Sequence, residues 1–398
     1  MCLNISQILN WEHKKQIISK VPNLRFKEFV GSYRFTHLKD MCELITKGTT
    51  PHMFSSNGIK FIKIDSLNGT SIDNAKVDYV SEDIHFGFLK RSILKENDIL
   101  LAIAGATVGK HALVRKENLP ANTNQALAII RLNRPIIPNY LLSIFDTDLI
   151  PAYVRNICTA SAQPNLNLVQ VGELFFGYPE IQEQEKINSF ISKINERIDT
   201  QNKIINKLES LICSLRNEIF SKYDWAWRRL DSFVNNGTIT LKRGNVIPKH
   251  ERNEEYKFPV YSSSIHNNGL MGFNNSYMFD KELITWSVDG GGNFFYRSKH
   301  KFNVTNVCGI LEVKDNIFNY RFLSEILSAQ HSKMIFDYQT KAHPSVIEKL
   351  YKLPIVGIKI QEKIALIFEL YYQKLEKEKD ILSLYKKQKA YLLQNMFI

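Results

Sequence analysis

Two long stretches of the chain carry apolar residues at alternating spacings of four and three. Each stretch opens with the same phrase, because QEKI at 184–187 recurs at 361–364. A mean apolar period of 3.5 residues is typical of a helix with a coiled-coil seam. The positions predicted to pair along the two seams are Ile187, Ile191, Ile194, Ile198, Ile205, Leu208, Ile364, Phe368, Leu375 and Leu382.

Polar residues interrupt both seams. Gln201 and Glu378 occupy equivalent positions, and Lys389 stands where the first copy has Ile212. A buried polar group at such a seam position is costly, but it can fix the register and the choice of partner. The alternative is that both residues face water at a helix bend.

Short apolar runs between turn signals predict strands in the segments that precede the two helices. The predicted strands are 59–64, 99–104, 126–132, 258–261, 283–288 and 307–313. Two further stretches, 139–150 and 320–336, have the apolar pattern of helices. Each segment is therefore predicted to place strands first and a helix later.

The chain is predicted to be an internal duplication of the α+β class. The phrase TN at 123–124 recurs at 305–306, and an apolar run follows each copy. The predicted order is an arm (1–31), a mixed α/β globule (32–180), a long helix (181–222), a second globule (223–355) and a second long helix (356–398). Because a globule separates the helices, we expect them to pair antiparallel in a pseudo-two-fold arrangement that holds two similar surfaces at a fixed separation. A homodimeric coiled coil without that role is the alternative.

The charge of the chain favours a polyanionic partner. The formal net charge is +12 and the pI is about 9.2. Such an excess points to nucleic acid before a membrane surface. No basic tail carries it, so a binding surface must be assembled by folding. A merely basic protein is the alternative interpretation.

The cysteines and the hydropathy pattern indicate a cytoplasmic protein without a membrane partner. The five cysteines are odd in number and form no CxxC pair, which argues against a disulfide framework or a zinc cluster. No stretch approaches 18 apolar residues, and the N-terminus has no signal-peptide core.

The sequence predicts no catalytic residue and no metal site. The phrase GATVGKH at 105–111 has three residues between its glycines where a phosphate loop has four, and it lacks the Ser or Thr that binds magnesium. Asp289, Glu312 and Lys314 imitate a nuclease pattern, but the other copy does not keep it. A magnesium-dependent nuclease built on these three residues and a coiled-coil adaptor for proteins are the alternatives from other functional classes.

A set of ordered phrases makes a resemblance specific. The phrases are VPNLRF at 21–26, KGTTP at 47–51, GIKFIK at 58–63, NDIL at 97–100, GATVGK at 105–110, NTNQ at 122–125, QPNL at 163–166 and EQEKI at 183–187. Together with the repeated helix they resemble the specificity subunit of type I restriction–modification systems. The resemblance covers residues 22–398 and is weakest in the second globule.

This resemblance implies a division of labour. The globules would be two target recognition domains for double-stranded DNA, and the helices would be a central and a C-terminal spacer. The spacers would also bind modification subunits, which use S-adenosylmethionine to methylate adenine. A restriction subunit would use ATP and magnesium. The chain itself would hold no cofactor and would supply only target choice and scaffold.

Polar and basic residues near the predicted turns are the candidates for DNA contact, because base edges are read by such side chains. The candidates in the first globule are Lys47, Thr49, Lys60, Lys63, Thr107, Lys110, Asn124 and Gln125. Those in the second globule are Lys242, Arg243, Ser263, His266, Asn267, Asn293 and Arg297. Asn124 recurs as Asn306, and this recurrence also fits a structural turn residue. We expect recurring residues to serve the scaffold and differing residues to read DNA.

Overall fold

The computed structural model describes residues 21–133, 136–157, 164–248, 252–264, 266–288, 293–314, 316–334 and 341–398. The chain folds as two compact units. Unit 1 comprises the residues up to Thr200 together with Leu382–Ile398, and unit 2 comprises Gln201–Ile381. Unit 1 is therefore built from two separate parts of the chain, and each unit contains part of both long helices.

Unit 1 contains eleven of the strands found in the described residues. They are β1 Arg34–His37, β2 Cys42–Lys47, β3 Ile59–Ile62, β4 Leu67–Asn68, β5 Ser71–Ile72, β6 Asp78–Val80, β7 Ile99–Ala102, β8 His111–Leu113, β9 Ala121–Thr123, β10 Leu127–Leu132 and β11 Phe175–Tyr178. Its helices are α1 Glu82–Phe86, α2 Pro138–Phe145, α3 Leu149–Ile157, α4 Leu168–Gly172 and the start of the long helix α5 Ile181–Lys222.

Unit 2 contains the remaining strands of the described chain. They are β12 Trp227–Arg229, β13 Ile239–Arg243, β14 Phe258–Tyr261, β15 Leu270–Asn274, β16 Phe279–Asp280, β17 Leu283–Ser287, β18 Phe294–Arg297, β19 Lys301–Val304, β20 Cys308–Val313 and β21 Lys352–Pro354. Its helices are α6 Leu230–Asn235, α7 Tyr320–His331, α8 Pro344–Leu350 and most of the long helix α9 Ile358–Met396.

The two units share one sheet topology. A four-stranded antiparallel sheet has the order β2-β10-β7-β8 in unit 1 and β13-β20-β17-β18 in unit 2. A parallel pair, β3 with β9 or β14 with β19, belongs to a second sheet. A short antiparallel pair, β1 with β11 or β12 with β21, completes the match. The internal repeat predicted from the helices is thus a repeat of whole units.

The central strands form because their residues are apolar on both faces. In β7, Ile99 and Leu101 belong to one apolar cluster, while Leu100 and Ala102 belong to another. A strand covered on both faces carries a continuous apolar run instead of an alternating pattern. This is why these runs were recognisable as strands in the sequence.

The long helices pair antiparallel within each unit. In unit 1, Ile187 shares a core with Met396. In unit 2, Gln201 contacts Glu378 and Arg216 contacts Tyr372, so later positions of α5 meet earlier positions of α9. The predicted fold class, with two mixed globules and two antiparallel helices, is confirmed.

Most predicted pairing positions are covered in these units. Ile187, Ile191, Ile194, Ile205, Leu208, Ile364, Phe368 and Leu375 are buried, and Ile198 and Leu382 are half-buried.

The polar seam residues contact each other and do not face water at a bend. The side-chain amide of Gln201 donates hydrogen bonds to the Glu378 carboxylate at 2.6 Å and to its backbone carbonyl at 3.0 Å. Gln201 is buried. In an antiparallel pair of helices, equivalent positions of the two copies face each other at only one point along the seam. The contact between Gln201 and Glu378 lies at this point, so it fixes the register of α5 against α9.

The structure also explains why Lys389 interrupts the apolar seam. Its ammonium donates to the Asp146 carboxylate at 2.8 Å, and His111 Nε2 lies 3.2 Å from the same carboxylate. The cation that interrupts the seam therefore binds the globule of unit 1.

Two predicted helices have different bounds in the structure. The stretch 139–150 is not one helix: α2 ends at Phe145 and α3 begins at Leu149. The Thr147 hydroxyl accepts the Leu149 N–H at 3.2 Å, which starts a new helix by satisfying a free donor. The predicted helix 320–336 ends at His331, and its last two positions lie outside the described residues.

The predicted strand 59–64 is also shorter, because the backbone turns at Ile64–Ser66. Across the described part of the chain, every helix is too short or too polar to traverse a bilayer.

Candidate nucleic-acid interface

Strand register brings several polar loops of unit 1 to one end of its four-stranded sheet. Lys47 ends β2 opposite Ala128, and Leu127 lies opposite Ala102 at the end of β7. The loops that follow β2 and β7 and the loop that precedes β10 therefore leave the sheet together. We call this end the loop edge of unit 1, defined by residues 47–50, 103–110 and 123–126.

A close backbone approach locks two of these loops together. The Thr49 N–H donates to the Thr123 carbonyl at 3.1 Å. A Cβ on Gly48 would lie 1.9 Å from that same carbonyl oxygen, so only glycine fits. The Thr50 hydroxyl also contacts the side-chain oxygen of Gln125. Gln125 therefore contacts the residue next to Thr49, although the two candidates come from separate phrases.

Unit 2 repeats this arrangement. Arg243 ends β13 opposite Gly309, and Ser287 ends β17 opposite Cys308. The parallel partner of Val304 is Tyr261, so the chain after β14 leaves at the same end. The loop edge of unit 2 is defined by residues 243–245, 262–264, 266–269, 293 and 305–306.

The same glycine approach occurs here. A Cβ on Gly244 would lie 2.2 Å from the Val304 carbonyl oxygen. The Arg243 guanidinium donates to the Asn306 carbonyl at 2.7 Å. The two loop edges therefore share this close backbone approach and carry different side chains.

The loop edge of unit 1 offers cations and amides to solvent. Lys47 and Lys110 are exposed and form no ion pair with the described residues. Asn124 is partly engaged, because its side-chain oxygen accepts the Ala126 N–H at 3.1 Å. The Thr107 hydroxyl lies 3.5 Å from the Ala104 carbonyl, at the limit of a hydrogen bond. The Asn124 contact agrees with a turn role for this recurring residue.

Three predicted lysines are held by other groups. Lys60 lies in β3 and donates to the Glu117 carbonyl at 2.6 Å. Lys63 pairs with Asp78 at 2.5 Å. Lys242 lies in β13 and pairs with Glu312 at 2.5 Å. These contacts make the three lysines weaker candidates than Lys47 and Lys110.

The loop edge of unit 2 carries an asparagine pair that sequence reasoning found only in part. Asn267, a predicted candidate, and Asn268, which was missed, are both exposed. Their φ angles are 48° and 51°, in the left-handed region. The triplet Asn-Asn-Gly was the available signal, because asparagine and glycine tolerate this region best.

Of the other predicted residues of unit 2, Asn293 is exposed and Ser263 is half-buried. The side chain of His266 lies outside the described set.

Arg297 is not available for direct DNA contact, and that prediction is wrong. Its side chain is 5% exposed, and its guanidinium carbon lies 3.7 Å from the centre of the Tyr261 ring. Burial lowers the pKa of Arg297 to about 10, and Tyr261 opposes part of this change. The sequence showed only a cation after an aromatic run; its direction depends on the pairing of β18 with β17.

In the described residues, two lysines hold the Glu312 carboxylate of the nuclease pattern. The Glu312 carboxylate lies 2.5 Å from Lys242 and 2.8 Å from Lys281. Burial raises the pKa of Glu312, but hydrogen bonds from these two lysines outweigh it and give a net lowering. Asp289 lies outside the described residues. No cluster of three acidic, histidine or cysteine side chains that could hold a metal occurs in the described ranges.

Comparison with known proteins shows which family the chain resembles. The profile of the family described as "Type I restriction modification DNA specificity domain" matches residues 32–210 and 223–384. A Mycoplasma pneumoniae protein named as a type I specificity subunit is 30% identical over 222 residues, which are 54% of this chain and 80% of that protein. The specificity subunit of the M. pneumoniae type I restriction enzyme MpnII is 35% identical over 130 residues, 31% of this chain and 38% of that subunit.

A solved structure agrees in fold over nearly the whole chain. The type I restriction–modification S subunit from M. genitalium superimposes with a TM-score of 0.60 at 18% identity, covering 95% of this chain and 99% of that one. Because the two profile matches together include well over half of the residues, the chain belongs to the family of type I restriction–modification DNA specificity domains.

Proposed function

We propose that the chain is the specificity subunit of a type I restriction–modification complex and reads double-stranded DNA with its two loop edges. One observation carries this proposal: the family profile matches the chain twice, and each match contains one loop edge on the same sheet order. Two similar surfaces with different side chains suit a bipartite target made of two different half-sites.

The chemistry of the loop edges supports this reading role. Lysine and arginine bind phosphates and guanine, and amide side chains bind adenine in the major groove. The edge of unit 1 carries Lys47, Lys110 and Gln125, whereas that of unit 2 carries Asn267 and Asn293. The net charge of +12 supplies a sequence-independent attraction to the phosphates.

The same proposal assigns partners and chemistry to other subunits. Modification subunits would bring S-adenosylmethionine for adenine methylation, and a restriction subunit would bring ATP and magnesium. The chain would itself be non-catalytic and cytoplasmic. In support, a solved structure that describes complex assembly of the type I R-M system has the same fold, with a TM-score of 0.57 at 14% identity.

The long helices offer a surface for the modification subunits. In α9, Leu366 is 60% exposed and Leu370 is 58% exposed. These positions lie one turn apart on one face, beside the buried Phe368 and Ala365. Exposed leucines in a row along a helix are characteristic of a protein interface.

The test is an exchange of one globule. The full chain is produced together with its modification subunits, and the methylated DNA sequence is read in cells. Replacing residues 223–355 by those of a relative should change one half of the methylated target and leave the other half unchanged, since each loop edge belongs to one globule.

The matched control replaces residues 32–180 instead, and it should change the opposite half. If either exchange altered both halves, the two-edge proposal would be wrong. Methylation by the isolated chain would contradict the non-catalytic role. Magnesium-dependent cleavage that Glu312→Ala abolishes would favour a nuclease, and failure to bind any duplex at low salt would favour a protein adaptor.

A further inference from the structure

The Asn267–Asn268 turn of unit 2 is held in a conformation that most residues avoid. Three consecutive residues, Asn267, Asn268 and Gly269, have φ angles of 48°, 51° and 81°. Besides this pair, Asn97 is the remaining non-glycine residue with positive φ in the described chain. Strain of this kind persists only where surrounding contacts enforce it, and it occurs often at functional sites.

Arg297 makes one of the contacts that hold the turn in this conformation. Its Nη2 donates to the Asn268 carbonyl at 2.8 Å, and its Nε donates to the Thr285 hydroxyl at 3.0 Å. Its guanidinium also stacks on the Tyr261 ring. The planar fork can make these contacts together, and a lysine ammonium has no comparable shape.

The backbone beside the turn adds a second constraint. The Ser262 N–H donates to the Gly269 carbonyl at 2.8 Å. A Cβ at position 269 would lie 2.8 Å from the Ser262 carbonyl oxygen, so the turn requires glycine there. The turn is thus fixed by β14 on one side and by Arg297 beneath it.

Burying a guanidinium group beneath a loop costs free energy, because the cation loses its hydration. No carboxylate pairs with Arg297 in the described residues, and burial of a cation without an anion opposes folding. The strand in the same place in unit 1 is β8, His111–Leu113, which carries no arginine. The buried arginine that holds the turn therefore occurs in unit 2 and not at the corresponding strand of unit 1. This difference is expected of a residue that serves one half-site.

The result of these contacts is a pair of presented amides. The side chains of Asn267 and Asn268 are exposed and make no hydrogen bond to the described residues. Asn268 also lines, together with Asn293 and Arg297, a cavity of about 400 Å³ whose other lining residues belong mainly to α5, α7 and α9. An asparagine amide pairs in two places with adenine N6 and N7 in the major groove.

We propose that the Asn267–Asn268 turn reads an adenine in the half-site of unit 2, and that Arg297 is a positioning residue that fixes this turn. The inference rests on the proposed function and deepens it, because it names the base and the residues. Arg297 touches no base; it acts through the Asn268 carbonyl.

The test uses the full chain assembled with its modification subunits and a randomised double-stranded DNA library. The base preference at each position is read from the enriched sequences. Asn267→Gly combined with Asn268→Gly keeps the left-handed backbone, because glycine adopts it freely, but removes both amides. An adenine preference of about tenfold or more should fall below about threefold at one or two adjacent positions.

Two further variants separate reading from folding. Arg297→Met removes the fork and should abolish the preference at those same positions while the rest of the profile stays. Asn97→Gly relieves a similar strain in unit 1 and should leave the profile unchanged. A merely structural Arg297 would instead weaken the binding of all sequences equally.

Each outcome decides the proposal. If the glycine pair retained the adenine preference, or if Arg297→Met changed different positions, the turn would not be the reader and the two-edge function would still stand. If the wild-type complex enriched no sequence at all, both the proposed function and this inference would be wrong.

Discussion

At the scale of single residues, the structure explains charges that looked misplaced in the sequence. Lys389 interrupts an apolar seam, yet in unit 1 it binds Asp146 of the globule. Unit 2 has an analogous link, because Arg216 of α5 pairs with Glu325 of α7 at 2.8 Å. Each unit thus attaches a long helix to its globule by a largely buried ion pair.

The Asp146 link predicts a dependence of stability on pH. Burial raises the pKa of Asp146, but His111 and Lys389 outweigh that effect and hold it below its usual value. A carboxyl group with a lowered folded-state pKa stabilises the fold above its unfolded pKa of about 3.9, and this contribution is lost as pH falls through the folded pKa. Asp146→Asn should therefore lower the free energy of unfolding at pH 7 by about 1–3 kcal/mol and flatten its fall below pH 4.

Urea unfolding at pH 7 and pH 3 measures this effect. The control combines Asp146→Leu with Lys389→Ile, the residue type that the first helix has at position 212. Removing both charges should restore most of the stability at pH 7. An Asp146→Asn protein as stable as the wild type would show that the link contributes nothing.

The location of a candidate residue could be predicted where it depends on the local sequence. It could not be predicted where it depends on the pairing of strands. The turn phrases predict Lys47 and Gln125 as candidates, and both residues lie at the loop edge. The residue type of Arg297 predicts a DNA contact, but strand pairing turns this side chain inward. No local signal distinguishes an arginine that faces DNA from one that braces a turn.

At the scale of elements, the seam was the most informative pattern. The repeat spacing of 3.5 residues predicted both long helices, and Gln201 and Glu378 were recognised as equivalent positions. The contact between them could not be predicted, because it requires the antiparallel register of the two helices. The parallel pairing of β3 with β9 likewise joins segments about 60 residues apart and has no local signal.

The Gln201–Glu378 contact predicts strong coupling between two substitutions. Glu378→Leu alone leaves the buried Gln201 amide without its carboxylate and should cost about 1–3 kcal/mol in the free energy of unfolding. Adding Gln201→Leu should recover most of that loss, because a paired apolar seam needs no hydrogen bond.

A double-mutant cycle followed by urea denaturation measures the coupling energy. The exposed Leu384, on the same helix, provides a neutral site for comparison through Leu384→Ala. Additive effects of the two seam substitutions would contradict a direct contact.

At the scale of the whole molecule, unit 1 depends on the far end of the chain. Leu392, Leu393 and Met396 are buried in its core. The Gly177 N–H donates to the Ile398 carbonyl at 2.8 Å, and the Leu24 N–H donates to the Asn395 carbonyl at the same distance. The sequence showed a helix here, but not the unit to which its last turns belong.

Removal of residues 382–398 should therefore destabilise unit 1 and spare unit 2. Hydrogen exchange should show lost protection in β1 and β11, with protection retained in β17 and β20. The comparison protein carries Leu393→Ala alone and should show a smaller loss in the same strands, about 2–5 kcal/mol for a buried leucine. Equal loss in both units would contradict the division of the chain.

The glycine contacts at Gly48 and Gly244 have a consequence for how such proteins diversify. At each contact, a glycine lies against a backbone carbonyl oxygen of a second loop. The two loops cannot change position independently, because a shift of one loop moves the other. At these two contacts we therefore expect new target preferences to arise by exchange of side chains while the backbone is retained. An insertion at either contact would separate the two loops, so we expect changes of loop length to occur elsewhere in the loop edges.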